Sequence, residues 1–237
     1  TNLKYLRDVR KSLKKNKVIK FKIVLEPAKK NTAPAILSSA LIKDISLKQP
    51  LMYFASDHLI EKSNILNKSI NKNKTNLDEK NLFIFGIKPT NPSSEYGYFL
   101  TKKINKSINK VTKFIEKPSK SIAKQVITKK GYWNSGIFFL RKDSLIYNFK
   151  KHQPKTYKHC LNAVNKAKLK NNTYYLNKAL FFKTVEKSFD YAILEKAKEI
   201  NAIKLDIPWS DLGNWKEISK IYKKHKSKYF KKKNIYY

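Results

Sequence analysis

The chain has 237 residues, 41% of them hydrophobic, which suits one large domain with a real core, and it carries a formal net charge of +36. No apolar run reaches the roughly eighteen residues of a membrane span, no signal-peptide pattern opens the chain, and a lone Cys160 with four histidines leaves no internal disulfide or zinc-type cluster; the expectation is a soluble, cytoplasmic protein without a membrane partner. Only Arg7, Arg10 and Arg141 are arginines, and the lysines are scattered among Asn and Ile, so the charge reads as compositional bias: no specific nucleic-acid partner, only weak, salt-sensitive adhesion to polyanions.

The first residue is Thr1, and the chain reads as a fragment. Leu3, Leu6, Val9 and Leu13 fall at helical spacing, and Ile19, Phe21, Ile23 and Leu25 then alternate as a strand would. In Glu26-Pro27-Ala28-Lys29-Lys30-Asn31-Thr32-Ala33-Pro34, Asn31 or Thr32 can cap a helix that runs through Ile42. That is an ordinary cap; a helix start after a strand also suits an anion or a nucleotide edge.

Leu51 to Ala55 reads as a short strand buried on both faces that breaks at Ser56-Asp57-His58. Asp57 is therefore a metal or ligand contact beyond a strand end, or a plain N-cap of a helix from about Leu59 to Ile70. Asn71 to Lys80 is a surface loop, and Asn81 to Ile87 is a second buried strand. Tyr96-Gly97-Tyr98 opens a hairpin that returns through Val111 to Ile115; Gly97 lets backbone approach a ligand or marks a bulge. After Glu116-Lys117-Pro118 come a helix over Ser119 to Lys129 and then Gly131-Tyr132-Trp133-Asn134-Ser135-Gly136, where Asn134 is a turn residue or a hydrogen-bonding group for a sugar hydroxyl. Helical patterns fill Leu145 to Lys170, and Ser188 caps a helix with Asp190 in its first turn. An apolar alternation from Ile203 to Ile207 leads to Trp209-Ser210-Asp211-Leu212-Gly213, and a last helix carries Ile218 and Tyr222. Asp57 and Asp211 could share one Mg²⁺. Alternating strands and helices imply an α/β fold, a mainly parallel sheet sandwiched by helices with an inserted hairpin.

The strings EPAKKNTAPAI, FASDHLI, FGIKPTNPSSEYGY, FIEKPSKSIA, GYWNSGIFFL, SFDYAILEK and WSDLGNW, in this order and spacing, resemble bacterial mannose-1-phosphate guanylyltransferases, members of the sugar-nucleotide pyrophosphorylases. The resemblance runs from about Val18 to Trp215. It implies a Rossmann-like, GT-A-like nucleotidyltransferase fold and transfer of GMP from GTP to mannose 1-phosphate, with Mg²⁺ as cofactor and GDP-mannose and pyrophosphate as products. By the same resemblance Asp57 and Asp211 hold the metal, Lys117 the sugar phosphate and Glu116 the sugar hydroxyls. Gly97, Asn134 and Asp190 match sugar-pocket positions, and Asn31 and Thr32 match positions near the base.

Departures from the pattern are Lys30 for arginine, Ala55 for proline and Glu95 for glycine. The glycine-rich G-x-G-T-R loop and its strand are absent, so the expectation is a partial catalytic domain over 1–225, lacking its first strand and loop, with a lysine-rich tail over 226–237. Alternatives are a non-catalytic remnant that binds a sugar nucleotide or a polyanion, or an enzyme for another nucleotide or hexose phosphate; self-association is left open.

Overall fold

A computed structural model describes residues 1–213 together with Trp215, Ile218, Ser219 and Ile221. Helix α1 (Leu6–Lys15) precedes β1 (Ile23–Leu25), which is shorter than the alternation suggests: Ile19 stands 87% exposed, and among the described residues no strand lies beside it. Helix α2 (Thr32–Ala40) starts as its sequence predicts. The Asn31 side chain accepts from Thr32 N–H, Pro34 lies in the first turn, and Ala33, Ile36, Leu37 and Ala40 turn into the core.

Strand β2 (Pro50–Tyr53) departs from expectation: it is half-buried, and Phe54 just beyond it is 50% exposed. The reason is position, since among the described residues β2 ends the sheet order and hydrogen-bonds to a neighbour on one side only. After Asp57 the chain does not enter a helix directly but forms β3 (His58–Ile60), and α3 (Ser63–Asn73) begins later. Strand β4 (Leu82–Ile87) is buried at every position, and Phe83, Phe85 and their neighbours together remove a large apolar area from water, roughly 2–3 kcal/mol for each phenylalanine.

The expected hairpin is β5 (Tyr98–Lys103) and β6 (Asn109–Ile115). Helix α4 (Lys120–Thr128) is capped by Ser119, whose side chain accepts from Ile122 N–H. Strand β7 (Tyr132–Arg141) includes Asn134, which the sequence pattern places just before it. Helices α5 (Lys142–His152) and α6 (Pro154–Asn165), the strands β8 (Lys168–Lys170) and β9 (Thr173–Tyr175), and the short α7 (Lys178–Phe182) follow. Asp190–Leu194 forms one π-helical turn in which Tyr191 N–H donates to Ser188 Oγ. Strands β10 (Ile200–Leu205) and β11 (Trp209–Asp211) complete the described part. Tyr222 and the 226–237 tail lie outside the described residues.

The α/β architecture agrees with the sequence reading, but the sheet is mixed rather than mainly parallel. Its order is β2-β7-β4-β10-β6-β5, and β4–β10 is its only parallel neighbour pair among the described residues. Strands β2, β4 and β10 run the same way, yet β7 enters antiparallel between β2 and β4. Strand β5 also pairs with β7, so β7, β4, β10, β6 and β5 close into a ring. Two smaller sheets, β1-β9-β8 and β11-β3, stand beside it. Among the described residues no helix is long and apolar enough to cross a membrane.

Candidate functional site

Strand direction places the site. Strands β2, β4 and β10 end on the same side, and the segments leaving them carry Asp57, Tyr96-Gly97 and Asp211. A cleft of about 170 Å³ opens there, lined by His58, Glu95, Tyr96, Gly97, Glu116, Lys117, Asn134, Ser135, Gly136, Asp190, Trp209 and Asp211. Ligand crevices beyond strand ends are the rule for such sheets.

At one end of this region, the β3–β11 ribbon pairs His58 directly with Asp211. Leu212 N–H donates to the Asp57 carbonyl (2.8 Å), which ties the two segments together. As a result Asp57, His58 and Asp211 each offer a ligand atom within 4.8 Å of the others, a donor set of two carboxylates and an imidazole that suits a divalent cation. Gly213 N–H donates to Asp211 Oδ1 (2.7 Å), and a Cβ at Gly213 would come within 2.8 Å of that oxygen. The His58 ring stands edge-on to Trp209, 5.3 Å between centroids, and its Nδ1 is buried without a hydrogen-bond partner. Burial lowers the His58 pKa, opposed by the charges of Asp211 and Asp57. A ring nitrogen of His58 and a carboxylate oxygen from each aspartate lie close enough together to hold one cation, so the residues fit one.

At the other end Asn134 Nδ2–H donates to Asp190 Oδ1 (2.8 Å), while Asn134 N–H donates to the Gly97 carbonyl (2.8 Å). Gly97 admits the Glu116 carboxylate against its backbone: a Cβ there would fall well inside contact with Glu116 Oε2, an oxygen that is buried and unpartnered. Burial is the largest cause pushing Glu116 up to about 8, followed by Asp190; Lys117 opposes the rise. Burial likewise raises Asp190 to about 6, against hydrogen bonds from its own backbone and from Asn134. Near neutral pH this corner therefore holds a proton on Glu116, which limits its repulsion of an anion. Lys117, exposed and with φ at 44°, supplies the cation beside it.

Asp57, Asp211, Lys117, Glu116, Gly97, Asn134 and Asp190 thus converge on one region. Asn31 and Thr32 do not line this cleft. Thr32 lines a neighbouring apolar hollow with Tyr53, Phe54 and Phe138, and Gly136 is common to both. The Thr32 hydroxyl also accepts from Phe189 N–H (2.8 Å), which links α2 to the turn bearing Asp190. Glu95, the departure that adds charge, lines the cleft from an exposed position.

Sequence reasoning overlooked His58, Gly136, Trp209 and Glu195. His58 adjoins Asp57 in the same string, which was a usable signal. Gly136 has φ at 68°, and a Cβ there would approach His58 Cε1 to 3.0 Å. Glu195 Oε1 accepts from Glu116 N–H (3.4 Å), a contact that local pattern does not show.

The family model for nucleotidyl transferases matches residues 2–228. A mannose-1-phosphate guanylyltransferase of Salmonella muenchen is 32% identical over 207 residues, covering 85% of this chain and 44% of that protein. Among solved structures, one named mannose-1-phosphate geranyltransferase from Thermus thermophilus superposes with a TM-score of 0.72 at 25% identity, over 84% of this chain and 57% of that one. Another, named mannose-6-phosphate isomerase from Helicobacter pylori, gives 0.79 at 27% identity, over 89% and 83%. The chain spans less than half the length of the curated relatives it matches.

Proposed function

Because the chain belongs to the nucleotidyl transferase family, we propose that its cleft transfers GMP from GTP to mannose 1-phosphate, forming GDP-mannose and releasing pyrophosphate. The observation that carries this reading is the meeting of Asp57 and Asp211, far apart in sequence, beside a cleft that also holds Lys117, Glu116, Asn134 and Asp190.

The chemistry asks little of a base. A sugar phosphate has lost most of its second proton at neutral pH, so its oxygen attacks the α-phosphorus of GTP in line and pyrophosphate departs with the bonding pair. Mg²⁺ held by Asp57 and Asp211 would neutralise charge on the phosphates. Lys117 draws the incoming phosphate to the cleft. Asn134 and Asp190, already bonded to each other, present a fixed amide and carboxylate to sugar hydroxyls, and Glu116 adds a carboxyl whose protonated form both donates and accepts. The apolar hollow at Thr32 lies next to this cleft and suits a base face.

The test is pyrophosphate release by the chain with Mg²⁺, comparing GTP with other nucleotides and mannose 1-phosphate with glucose 1-phosphate. Turnover confined to the GTP and mannose 1-phosphate pair, lost by about 100-fold or more in Asp211→Asn, is the expected result. Unchanged turnover in Asp211→Asn would remove the carboxylate pair from the reaction. Binding of GDP-mannose without turnover would favour a non-catalytic sugar-nucleotide binder.

A further inference from the structure

We propose that the cation held by Asp57 and Asp211 also takes a nitrogen ligand from His58, so that the site prefers a first-row transition ion such as Mn²⁺ or Co²⁺ to Mg²⁺. The inference rests on the carboxylate-pair reading above and goes beyond it by naming a third ligand and its effect on metal choice.

Three observations support it independently of the sequence resemblance. First, distance: two donors on opposite sides of an ion with bonds of about 2.1 Å lie about 4.2 Å apart. Donors from all three residues lie within 4.8 Å of one another, so an ion at their centre is at most about 2.8 Å from each, and a shift of up to about 0.7 Å per ligand brings all three to bonding distance. Second, the side chains are held in place by the backbone. His58 and Asp211 are directly opposed in the β3–β11 ribbon, and opposed residues of an antiparallel pair project from the same face. Asp57 precedes His58, and its carbonyl is tied to Leu212.

Third, the imidazole is held in place although one of its polar atoms is left unpaired. His58 Nδ1 is buried and unpartnered, at a cost of about 1–3 kcal/mol in the absence of a ligand. The ring is confined by Trp209 on one side and by Gly136 on another, where only a glycine with left-handed backbone leaves it room. A histidine needed only as filler could be replaced by an apolar ring with no such loss.

The metal preference follows from ligand chemistry. Mg²⁺ selects oxygen donors and is indifferent to imidazole, whereas Mn²⁺ and, more strongly, Co²⁺ gain from nitrogen. Carboxylates alone already favour the transition ions somewhat, so the discriminating quantity is the change in preference when His58 is removed.

The test is titration of the metal-free chain with MgCl₂, MnCl₂ and CoCl₂, followed by calorimetry, by the EPR signal of free Mn²⁺ and by the visible absorption of bound Co²⁺. Wild type and His58→Ala are compared, with near-ultraviolet circular dichroism as the check on folding. The expected result is a Mn²⁺ to Mg²⁺ affinity ratio that falls by about tenfold in His58→Ala while Mg²⁺ binding stays within a few-fold of wild type. Pulsed EPR of Mn²⁺ on wild type should show coupling to an imidazole ¹⁴N, a measurement that needs no variant. A ratio unchanged by His58→Ala, or Mn²⁺ bound without nitrogen coupling, overturns the inference and leaves the carboxylate pair standing. If wild type binds no divalent cation at all, both the inference and the metal reading of Asp57 and Asp211 fall.

Discussion

Gly97→Ala is the most direct probe of the proposed sugar-side corner. The glycine has no left-handed φ, so its backbone accepts alanine without strain. Its hydrogen atoms face Glu116 Oε2, Phe114 Cζ and Asn134 Cβ, and an added methyl would stand 3.2 Å from the phenyl carbon and 3.5 Å from Asn134 Cβ. Those two contacts are tight but tolerable. The carboxylate oxygen lies far closer and must retreat by about an ångström to reach ordinary contact, which is more than a hydrogen bond survives. Because Glu116 is a flexible side chain, the cost in stability should be near the low end of overpacking, about 1 kcal/mol. The cost in binding is larger. Displacing the carboxyl leaves a buried sugar hydroxyl without its partner, which costs about 1–3 kcal/mol, so affinity for mannose 1-phosphate should fall roughly 5- to 150-fold. Tryptophan emission provides the assay, since Trp209 lines the cleft and Trp133 packs on Tyr96 at a ring distance of 4.9 Å. Titration with mannose 1-phosphate and a thermal melt on the same sample separate binding from folding. Glu116→Ala should lose a comparable amount, and Gly97→Ala with Glu116→Ala should lose little more than either alone, because both act on one carboxyl group. Wild-type affinity in Gly97→Ala, or full additivity in the double variant, would refute this account of the pocket.

Glu116 and Asp190 both have raised folded-state pKa values, about 8 and about 6 against ordinary values of 4.5 and 3.8. Their stabilising effect is present below the unfolded values and is lost as pH rises through the folded ones. The unfolding free energy of wild type from urea titration should therefore fall between pH 5 and 8 by roughly 1–2 kcal/mol after solvent screening, and Glu116→Gln should flatten the upper half of that slope; a wild-type stability that rises there would contradict the assignment. Gly136→Ala places a Cβ in left-handed backbone 3.0 Å from His58 Cε1 and should cost about 1–2 kcal/mol, read as a melting temperature lower by roughly 2–8 °C. Thr32→Val removes the acceptor of Phe189 N–H and should cost about 1–3 kcal/mol, with faster hydrogen exchange at Phe189 as the specific sign.

Features determined locally were legible in the sequence. The Asn31 and Ser119 caps, the β5–β6 hairpin and the continuous apolar run of β4 each announce themselves within a few residues. Features determined by distant neighbours were not. Strand β3 reads as the start of a helix because the partner that makes it extended, Trp209-Ser210-Asp211, lies at the other end of the chain. Likewise β2 carries a core-like composition but occupies an edge, and nothing within β7 reveals that it runs against its neighbours. Motif order pointed to Asp57, Gly97, Glu116, Lys117, Asn134, Asp190 and Asp211. It could not show His58 facing Asp211, since that depends on a cross-strand register, nor Glu195 reaching back to the Glu116 backbone.

The placement of the proposed cation ligands bears on cooperativity. His58 and Asp211 sit on a two-stranded ribbon outside the closed ring of β7, β4, β10, β6 and β5, and a two-stranded ribbon is marginal by itself. Its anchors are Ile60 and Trp209, both only partly buried against the core that contains Phe83 and Phe85. The ribbon is thus expected to open as a unit of its own, parting and reclosing while the ring stays intact. An ion bridging its two strands would act as a local fastener, so cation binding should slow amide exchange at Leu59 and Ser210 while leaving exchange at Ile84 unchanged.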